Sequence, residues 1–494
     1  MPNPPAPSST PSSDSGEHVA RPQAFLAPPT AGASRRDGTT LLTVYVVLLI
    51  AIPSRLVFAP LGGAGTPAQI VGMLGALWWF WDRVRRSESR LGPREPVKLA
   101  MFAFAWCVCV SFVAAMVRPL SPEEFSTASL GLAGLAGWAG VLLVASDGVP
   151  TVDRLVTLFT RISTMGGLLA AFGIVQFFTH EAWTEYLSIP GLSMNQQLDS
   201  VLGRDGFSRP AGTATHPIEF GVVLTMILPV ALTCAMNLRD SAPIRRWLPV
   251  AAIAFAIPLS ISRSAIVGAA VGLAVIVPTW PRRARWAALG SIAALLTVIF
   301  IGVPGILGTI SGLFTGIASD SSAQSRVTAY GVAWEFIRRS PVIGRGFSTF
   351  LPRYWILDNQ YLGLLIEVGV LGLAAMVILL GTGVWAGWTA RRRTPDARLR
   401  ATGAAVAASV LCGAIGLALY DTLGFAMSAG TLMLMLGLAG ATLNLARSTA
   451  AAARARDPGD GPSRIERNHS GQQLVSATSP KNHPFAAEGP TPRR

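Results

Sequence analysis

The sequence predicts an all-α, polytopic integral membrane protein with about 12 transmembrane helices and two long outward loops. Of its 494 residues, 51% are hydrophobic and only 13% are charged, and the mean hydropathy is +0.47. This balance is too apolar for a soluble protein of such length. The apolar residues are also grouped into blocks long enough to cross a bilayer as helices, and arginines cluster after alternate blocks. Together these features predict a membrane domain.

Twelve apolar blocks lie between two polar ends. The blocks lie near 41–58, 66–81, 99–117, 127–146, 162–179, 217–237, 247–262, 264–280, 286–303, 361–388, 402–420 and 424–446. Residues 1–38 are rich in Pro, Ser and Ala, and residues 447–494 are similarly polar. We therefore predict a membrane domain over 39–446 between two disordered cytoplasmic tails.

The distribution of basic residues predicts the orientation of the chain. The inward loops carry Arg83, Arg85, Arg86, Arg90, Arg94 and Lys98; Arg154 and Arg161; Arg239, Arg245 and Arg246; Arg282, Arg283 and Arg285; and Arg391, Arg392, Arg393, Arg398 and Arg400. The four short outward loops carry only Arg55, Arg118 and Arg263. The positive-inside rule then places both termini in the cytoplasm of a multi-pass protein of the cell (inner) membrane.

The charge and the cysteines exclude other classes of protein. The net charge of +14 is explained by these orienting arginines, so nucleic acid is not expected as a partner. Cys107, Cys109, Cys234 and Cys412 all fall inside apolar blocks, which predicts neither a disulfide framework nor a zinc site. The chain also shows no internal repeat of the kind common in transporters.

The second long outward segment, 304–360, contains a helical pattern. Arg326, Tyr330, Trp334 and Ile337 recur at helical spacing and predict one largely apolar face. A helix of this kind lies on the bilayer surface or caps a cavity, and its aromatic residues alternatively serve only as interfacial anchors.

Three polar positions lie close to the predicted outer face. Arg263 stands with serines between two apolar blocks, where it either snorkels or recognises phosphate. Arg209 and His216 lie in the first long outward segment, 180–216, just before Pro217. Proline is favoured at the first position of a helix. The alternative is therefore that Thr215 or His216 serves only to begin the helix and has no chemical function.

A turn and a second polar group follow the patterned helix. The sequence Gly344-Arg345-Gly346 allows close approach of the backbone, and Asp358-Asn359 opens an apolar helix that contains Glu367. Asp358 is either a base or the N-cap of that helix. Glu367 should face the interior and pair with an arginine.

These segments resemble the O-antigen ligase and O-antigen polymerase family of bacterial envelope proteins. The similarity covers about residues 200–380 and rests on Ser262-Arg263-Ser264, on 326–347, which ends in Ser-Pro-Val-Ile-Gly-Arg-Gly-Phe, on 358–362, and on Glu367-Val-Gly-Val-Leu-Gly372. Ligases of the family usually have His before the Asn, whereas this chain has Asp358. That difference favours a polymerase, or a ligase to another acceptor, over a strict lipopolysaccharide ligase.

The resemblance implies a membrane glycosyltransferase of the C type that moves a glycan, with inversion, from a polyprenyl-diphosphate carrier to an acceptor hydroxyl. Neither a metal nor another cofactor is expected, and the expected partners are the bilayer, the donor and a glycan or lipid acceptor. Arg263 and Arg326 are the expected diphosphate ligands and Asp358 the expected base. The predicted substrate-binding residues are Arg209, His216, Tyr330, Arg345, Asn359 and Glu367. A transporter or flippase of a lipid-linked oligosaccharide, or a non-catalytic scaffold, remains an alternative.

Overall fold

The computed structural model describes residues 37–85, 95–195, 203–204, 206–237, 242–315 and 321–456, and it leaves the side chains of Arg204, Phe314, 321–327 and 453–456 undescribed. The two predicted tails thus lie largely outside the described residues. The last helix, however, continues to Arg456, past the predicted start of the C-terminal tail at 447.

Helices account for most of the described chain. They are α1 Thr39–Ala51, α2 Pro67–Arg85, α3 Pro96–Met116, α4 Pro122–Asp147, α5 Val152–Thr179, α6 Pro217–Asn237, α7 Pro243–Leu259, α8 Arg263–Ile276, α9 Arg282–Gly302, α10 Ile306–Thr315, α11 Ser321–Arg339, α12 Gln360–Glu367, α13 Gly369–Arg393, α14 Ala397–Leu419 and α15 Ala426–Arg456. Two short antiparallel ribbons pair β1 Leu56–Val57 with β2 Ser193–Met194, and β3 Gly203–Arg204 with β4 Phe207–Ser208. The fold class is therefore helical, as predicted.

Every predicted apolar block overlaps a helix, but fewer helices qualify as membrane spans than predicted. Within the described ranges, eight helices are long and apolar enough to cross a membrane, against about 12 expected. They are α3, α4, α5, α6, α9, α13, α14 and α15. The helices α1 and α8 are apolar but shorter.

The centre of the bundle is formed by α6, α14 and α15. The apolar windows of α6 and α15 are each 94% buried, whereas that of α9 is 6% buried and lies at the periphery. The helix α14 packs against α6, α8, α13 and α15. Residues attached to the ends of these central helices are thus held by the best-packed part of the molecule.

Polar contacts join the helix ends that carry the predicted inward charges. Lys98 lies 2.7 Å from Asp147, Arg154 lies 2.9 Å from Asp37, and Arg398 lies 2.8 Å from Asp153. These contacts bring the starts of α3, α5 and α14 and the end of α4 to one side of the bundle. The α7–α8 and α14–α15 turns lie at the opposite ends of their helices.

The apolar block predicted over 361–388 is interrupted in the structure. α12 ends at Glu367, and α13 begins at Gly369, whose φ of +66° is in the left-handed region. The turn at 344–346 lies against this break, where the Arg345 and Gly346 amides donate to the carbonyls of Ile366 and Glu367 at 3.0 and 2.9 Å. A side chain at Gly344 would overlap the Glu367 carbonyl. The predicted close backbone approach is therefore confirmed.

Candidate functional site

A cavity of about 950 Å³ lies at the side of the bundle opposite the contacts of Lys98, Arg154 and Arg398. Its walls come from the starts of α2, α4, α6, α8 and α15, from the segment before α6, from 347–359 and α12, and from the α14–α15 turn. Six of the predicted site residues line it: Arg209, His216, Arg263, Asp358, Asn359 and Glu367. The structure thus brings together residues from distant parts of the sequence.

One wall of the cavity is basic. Arg263 is the first residue of α8, and Arg209, which is 9% exposed, donates from Nε to the Ser260 carbonyl at 3.1 Å. This bond ties Arg209 to the α7–α8 turn that carries Arg263. The Ser262 hydroxyl accepts a hydrogen bond from the Ala265 amide and caps α8. Two guanidinium groups and the positive end of a helix are a suitable arrangement for a phosphate group.

The α7–α8 turn contains a strained residue. Ile261 has a φ of +45° and is fully buried in an apolar cluster with Phe177, Leu259 and Ile299. A left-handed conformation is costly for a β-branched residue and persists only where the surroundings enforce it. The cluster therefore holds the turn in the conformation that directs the α8 start to the cavity.

His216 is the N-cap of α6. Its Nδ1 accepts a hydrogen bond from the Ile218 amide at 3.1 Å, and its ring lies 6.3 Å from that of Phe425. Burial and the nearby Arg209 lower the pKa of His216 to about 4, so the imidazole is neutral at pH 7. His216 therefore begins α6 through this contact, and it also lines the cavity.

Glu219 supports both helix starts beneath His216. This buried carboxylate accepts from the Thr215 amide at 2.7 Å and from the Met427 and Ser428 amides at 2.8 and 3.2 Å. It therefore joins the beginning of α6 to the beginning of α15. Sequence reasoning missed it, since an acidic residue in the first turn of a helix is common and gives no sign of a distant partner.

Carboxyl groups also line the cavity. Asn359, not Asp358, caps α12, because its Oδ1 accepts from the Leu362 amide at 3.1 Å. The alternative that Asp358 is the N-cap is thus wrong. Asp421, in the α14–α15 turn, also lines the cavity. Burial and the neighbouring Asp358 raise the pKa of Asp421 to about 6. Sequence reasoning missed this residue, although an Asp between two apolar blocks was a signal that could have found it.

Glu367 lies deeper, at the end of α12. It is 9% exposed, and its Oε1 accepts from the Phe350 amide at 3.2 Å. Among the described side chains, no ion pair joins Glu367 to an arginine, and Arg345 contacts Glu124 at 2.5 Å instead. Glu367 thus orders the 348–350 segment through the backbone.

Arg345 is not among the residues that line the cavity, but its contacts fix the turn beside it. Its guanidinium lies 4.9 Å from the Phe336 and Tyr354 rings, and Glu124 also contacts Arg118. These contacts fasten the turn at 344–346 to the start of α4. The structure therefore places Arg345 away from the position expected of a substrate ligand.

The helix α11 exposes the two aromatics of its predicted apolar face, as the interfacial alternative expects. Its buried face is formed by Ala329, Ala333 and Ile337, while Tyr330 and Trp334 are 57% and 63% exposed. The small side chains of Ala329 and Ala333 allow close packing. Tyr330 and Trp334 each follow one of these alanines and face outward, as aromatic residues at a membrane interface do. Tyr330 is not among the lining residues, and the Arg326 side chain lies outside the described residues.

A known family model matches the stretch of sequence that contributes the part of the site after α6. Residues 248–377 match the family model described as O-antigen ligase, which confirms the resemblance predicted from the sequence. Arg263, Asp358, Asn359 and Glu367 lie inside the matched range, and Arg209 and His216 precede it. No curated protein matches the chain.

Proposed function

We propose that this chain, whose residues 248–377 match the O-antigen ligase family model, transfers a glycan from a polyprenyl-diphosphate carrier to an acceptor hydroxyl. The family supports ligase-like or polymerase-like glycan transfer in general. The diphosphate donor, the outer-face acceptor and a metal-independent, inverting reaction are the finer parts of the proposal.

The carrying observation is that two arginines and several carboxyl groups from distant parts of the sequence line one cavity. Arg263, Arg209 and the α8 start bind the donor diphosphate and stabilise the charge that develops on it as it leaves. The acceptor oxygen attacks the anomeric carbon from the opposite side, the bond to the diphosphate oxygen breaks, and Asp358 takes the hydroxyl proton. Attack opposite the leaving group inverts the anomeric centre.

Three further predicted residues keep supporting roles in the proposal. Asn359 and Glu367 bind acceptor or donor sugar beside Asp358 in the same cavity. Arg326, in the first half of α11, is a second candidate for the diphosphate because the resemblance implies that role.

The positive-inside rule supports a location in the cell (inner) membrane with both termini in the cytoplasm and the cavity at the outer face. A flippase or transporter needs access from both sides of the membrane. Most residues that line the described cavity lie near one end of the bundle, although the cavity reaches along α4 to Trp138, and this bias towards one end favours the transferase.

The test is turnover of purified variants on polyprenyl-diphosphate-linked glycan extracted from the producing cells. Arg263→Ala should lower the rate about 10²- to 10³-fold, and Arg263→Lys should recover only part of it because the planar fork is lost. Arg398→Ala, which removes an exposed ion pair at the opposite side, is the control. Near-normal turnover by Arg263→Ala and Arg209→Ala, or strict dependence on an added divalent metal, would overturn the mechanism.

A further inference from the structure

The hydrogen bond that caps α6 also determines where the proton of His216 resides. The Ile218 amide lies 3.1 Å from Nδ1, and a backbone N–H can only donate. Nδ1 must therefore present its lone pair. A neutral imidazole with an unprotonated Nδ1 carries its proton on Nε2.

The charges around His216 oppose a second proton. Arg209 acts on it directly, and Arg263 lies on the same cavity wall. The carboxylate of Glu219, on the same helix, is already engaged by the Thr215, Met427 and Ser428 amides. The α14–α15 turn adds two titratable residues to the cavity lining, Tyr420 and Asp421. The capping contact, burial and Arg209 together keep the ring neutral.

We infer that His216 is a neutral hydrogen-bond donor of fixed tautomer, whose Nε2–H binds an oxygen of the diphosphate-linked donor at the basic wall. The inference rests on the proposed function and makes it more specific. His216 cannot be the base, because the Ile218 amide uses Nδ1 and the proton occupies Nε2. The oxygen that accepts this hydrogen bond belongs either to a phosphate of the glycan carrier or to the adjoining sugar, and either oxygen can accept from an N–H group.

Two substitutions separate capping from donation. In Asn the side-chain Oδ1 takes the place of Nδ1, and Asn is among the best N-caps, so His216→Asn keeps the cap and loses the donor. In Gln the amide nitrogen takes the place of Nε2, so His216→Gln keeps a donor and weakens the cap. His180→Gln is the control, since His180 contacts Ser208 at the end of α5 and is not among the lining residues.

The first measurement is equilibrium binding of extracted lipid-linked glycan, without turnover, together with thermal unfolding. His216→Asn should melt like the wild type and bind about 10- to 100-fold more weakly, as expected for a lost hydrogen bond to a charged group. His216→Gln should melt at a lower temperature and retain most of the affinity. The reverse pattern, with normal binding by His216→Asn and impaired binding by His216→Gln, would overturn the inference and leave a capping role alone.

Two probes identify the bound oxygen and separate this inference from the proposed function. If His216→Asn weakens binding of inorganic pyrophosphate, Nε2 binds phosphate; if it weakens only binding of the free oligosaccharide released by mild acid, Nε2 binds sugar. Unchanged binding of both probes contradicts the inference. Weakened binding in a protein that transfers no glycan would reject the proposed function and leave the inference intact.

The tautomer is open to direct observation. In protein labelled with ¹⁵N-histidine, the resonances absent from His216→Asn should show protonated Nε2 and unprotonated Nδ1, unchanged between about pH 5 and 8. A titration with a midpoint near the ordinary histidine value, or the opposite tautomer, would contradict the inference.

Discussion

Asp421 and Asp358 place two carboxyl groups on one wall of the cavity, and the pair gives the protein a pH dependence. Burial and Asp358 raise the folded pKa of Asp421 from 3.8 to about 6. Between these values the folded state binds more protons than the unfolded state, so stability should fall as pH rises from about 4 to about 6 and then level off.

Asp421→Asn should remove this slope. Asn still accepts the hydrogen bond from the Gly424 amide but cannot ionise, so the variant should gain at most about 3 kcal/mol relative to the wild type at pH 7 and little at pH 4. Thermal unfolding of the purified protein across this range is the measurement. A slope that persists in Asp421→Asn would assign the pH dependence to another group.

Asp358 and Asn359 are adjacent but should respond oppositely to substitution. Because Asn359 supplies the cap, Asp358→Asn should leave the α12 cap intact and lower turnover about 10²- to 10⁴-fold through loss of the base. Asn359→Ala should instead cost about 1 kcal/mol of stability. Turnover of stably folded Asp358→Asn near the wild-type rate would remove Asp358 from the chemistry.

At the scale of elements, the α12–α13 break depends on glycines with left-handed backbones. Gly344 has a φ of +73°, and a methyl group there would overlap the Glu367 carbonyl, so Gly344→Ala should cost more than about 1–2 kcal/mol. Gly331, exposed in α11 with open space around it, is the matched control. There Ala should stabilise by about 0.5–1 kcal/mol. Equal effects in thermal unfolding would show that the close approach is unimportant.

The same elements show what sequence patterns predict. The apolar blocks predicted helices well because hydrophobic runs of this length have few other solutions in a membrane. The break after Glu367 was not predicted, since it depends on the distant 341–346 segment supplying hydrogen bonds. The exposed aromatics of α11 agree with the predicted interfacial alternative, whereas its buried face was not predicted, because periodicity weighs aromatics above the small residues Ala329 and Ala333 that permit close packing.

For the whole molecule, the testable consequence is orientation. In a variant without the native cysteines, Tyr186→Cys, at an exposed residue before β2, should react with a membrane-impermeant maleimide in intact cells. Arg393→Cys, at the end of α13, should react only after the cells are opened, because the arginine distribution places it inside. The opposite pattern would move the cavity to the cytoplasmic face.

Much of the candidate site was predicted because motifs near the outward ends of helices must meet when helices alternate in direction. Arg209, Arg263 and Asp358 were found in this way, and the structure brings them to one cavity. Glu219 and Asp421 were missed, since their importance depends on neighbours more than 60 residues away in the sequence. Arg345 was assigned to substrate because sequence cannot reveal that Glu124 pairs with it.

The link that Glu219 makes between α6 and α15 has a consequence for biogenesis. The carboxylate enters the membrane early in synthesis, but the Met427 and Ser428 amides that satisfy it are made some 200 residues later. Until α15 inserts, the growing chain holds an ionisable group without those two donors, and the wall beneath His216 is unfinished. The cavity is therefore completed only when the last helix is in place, so we expect a chain interrupted before Ala426 to lack a finished site.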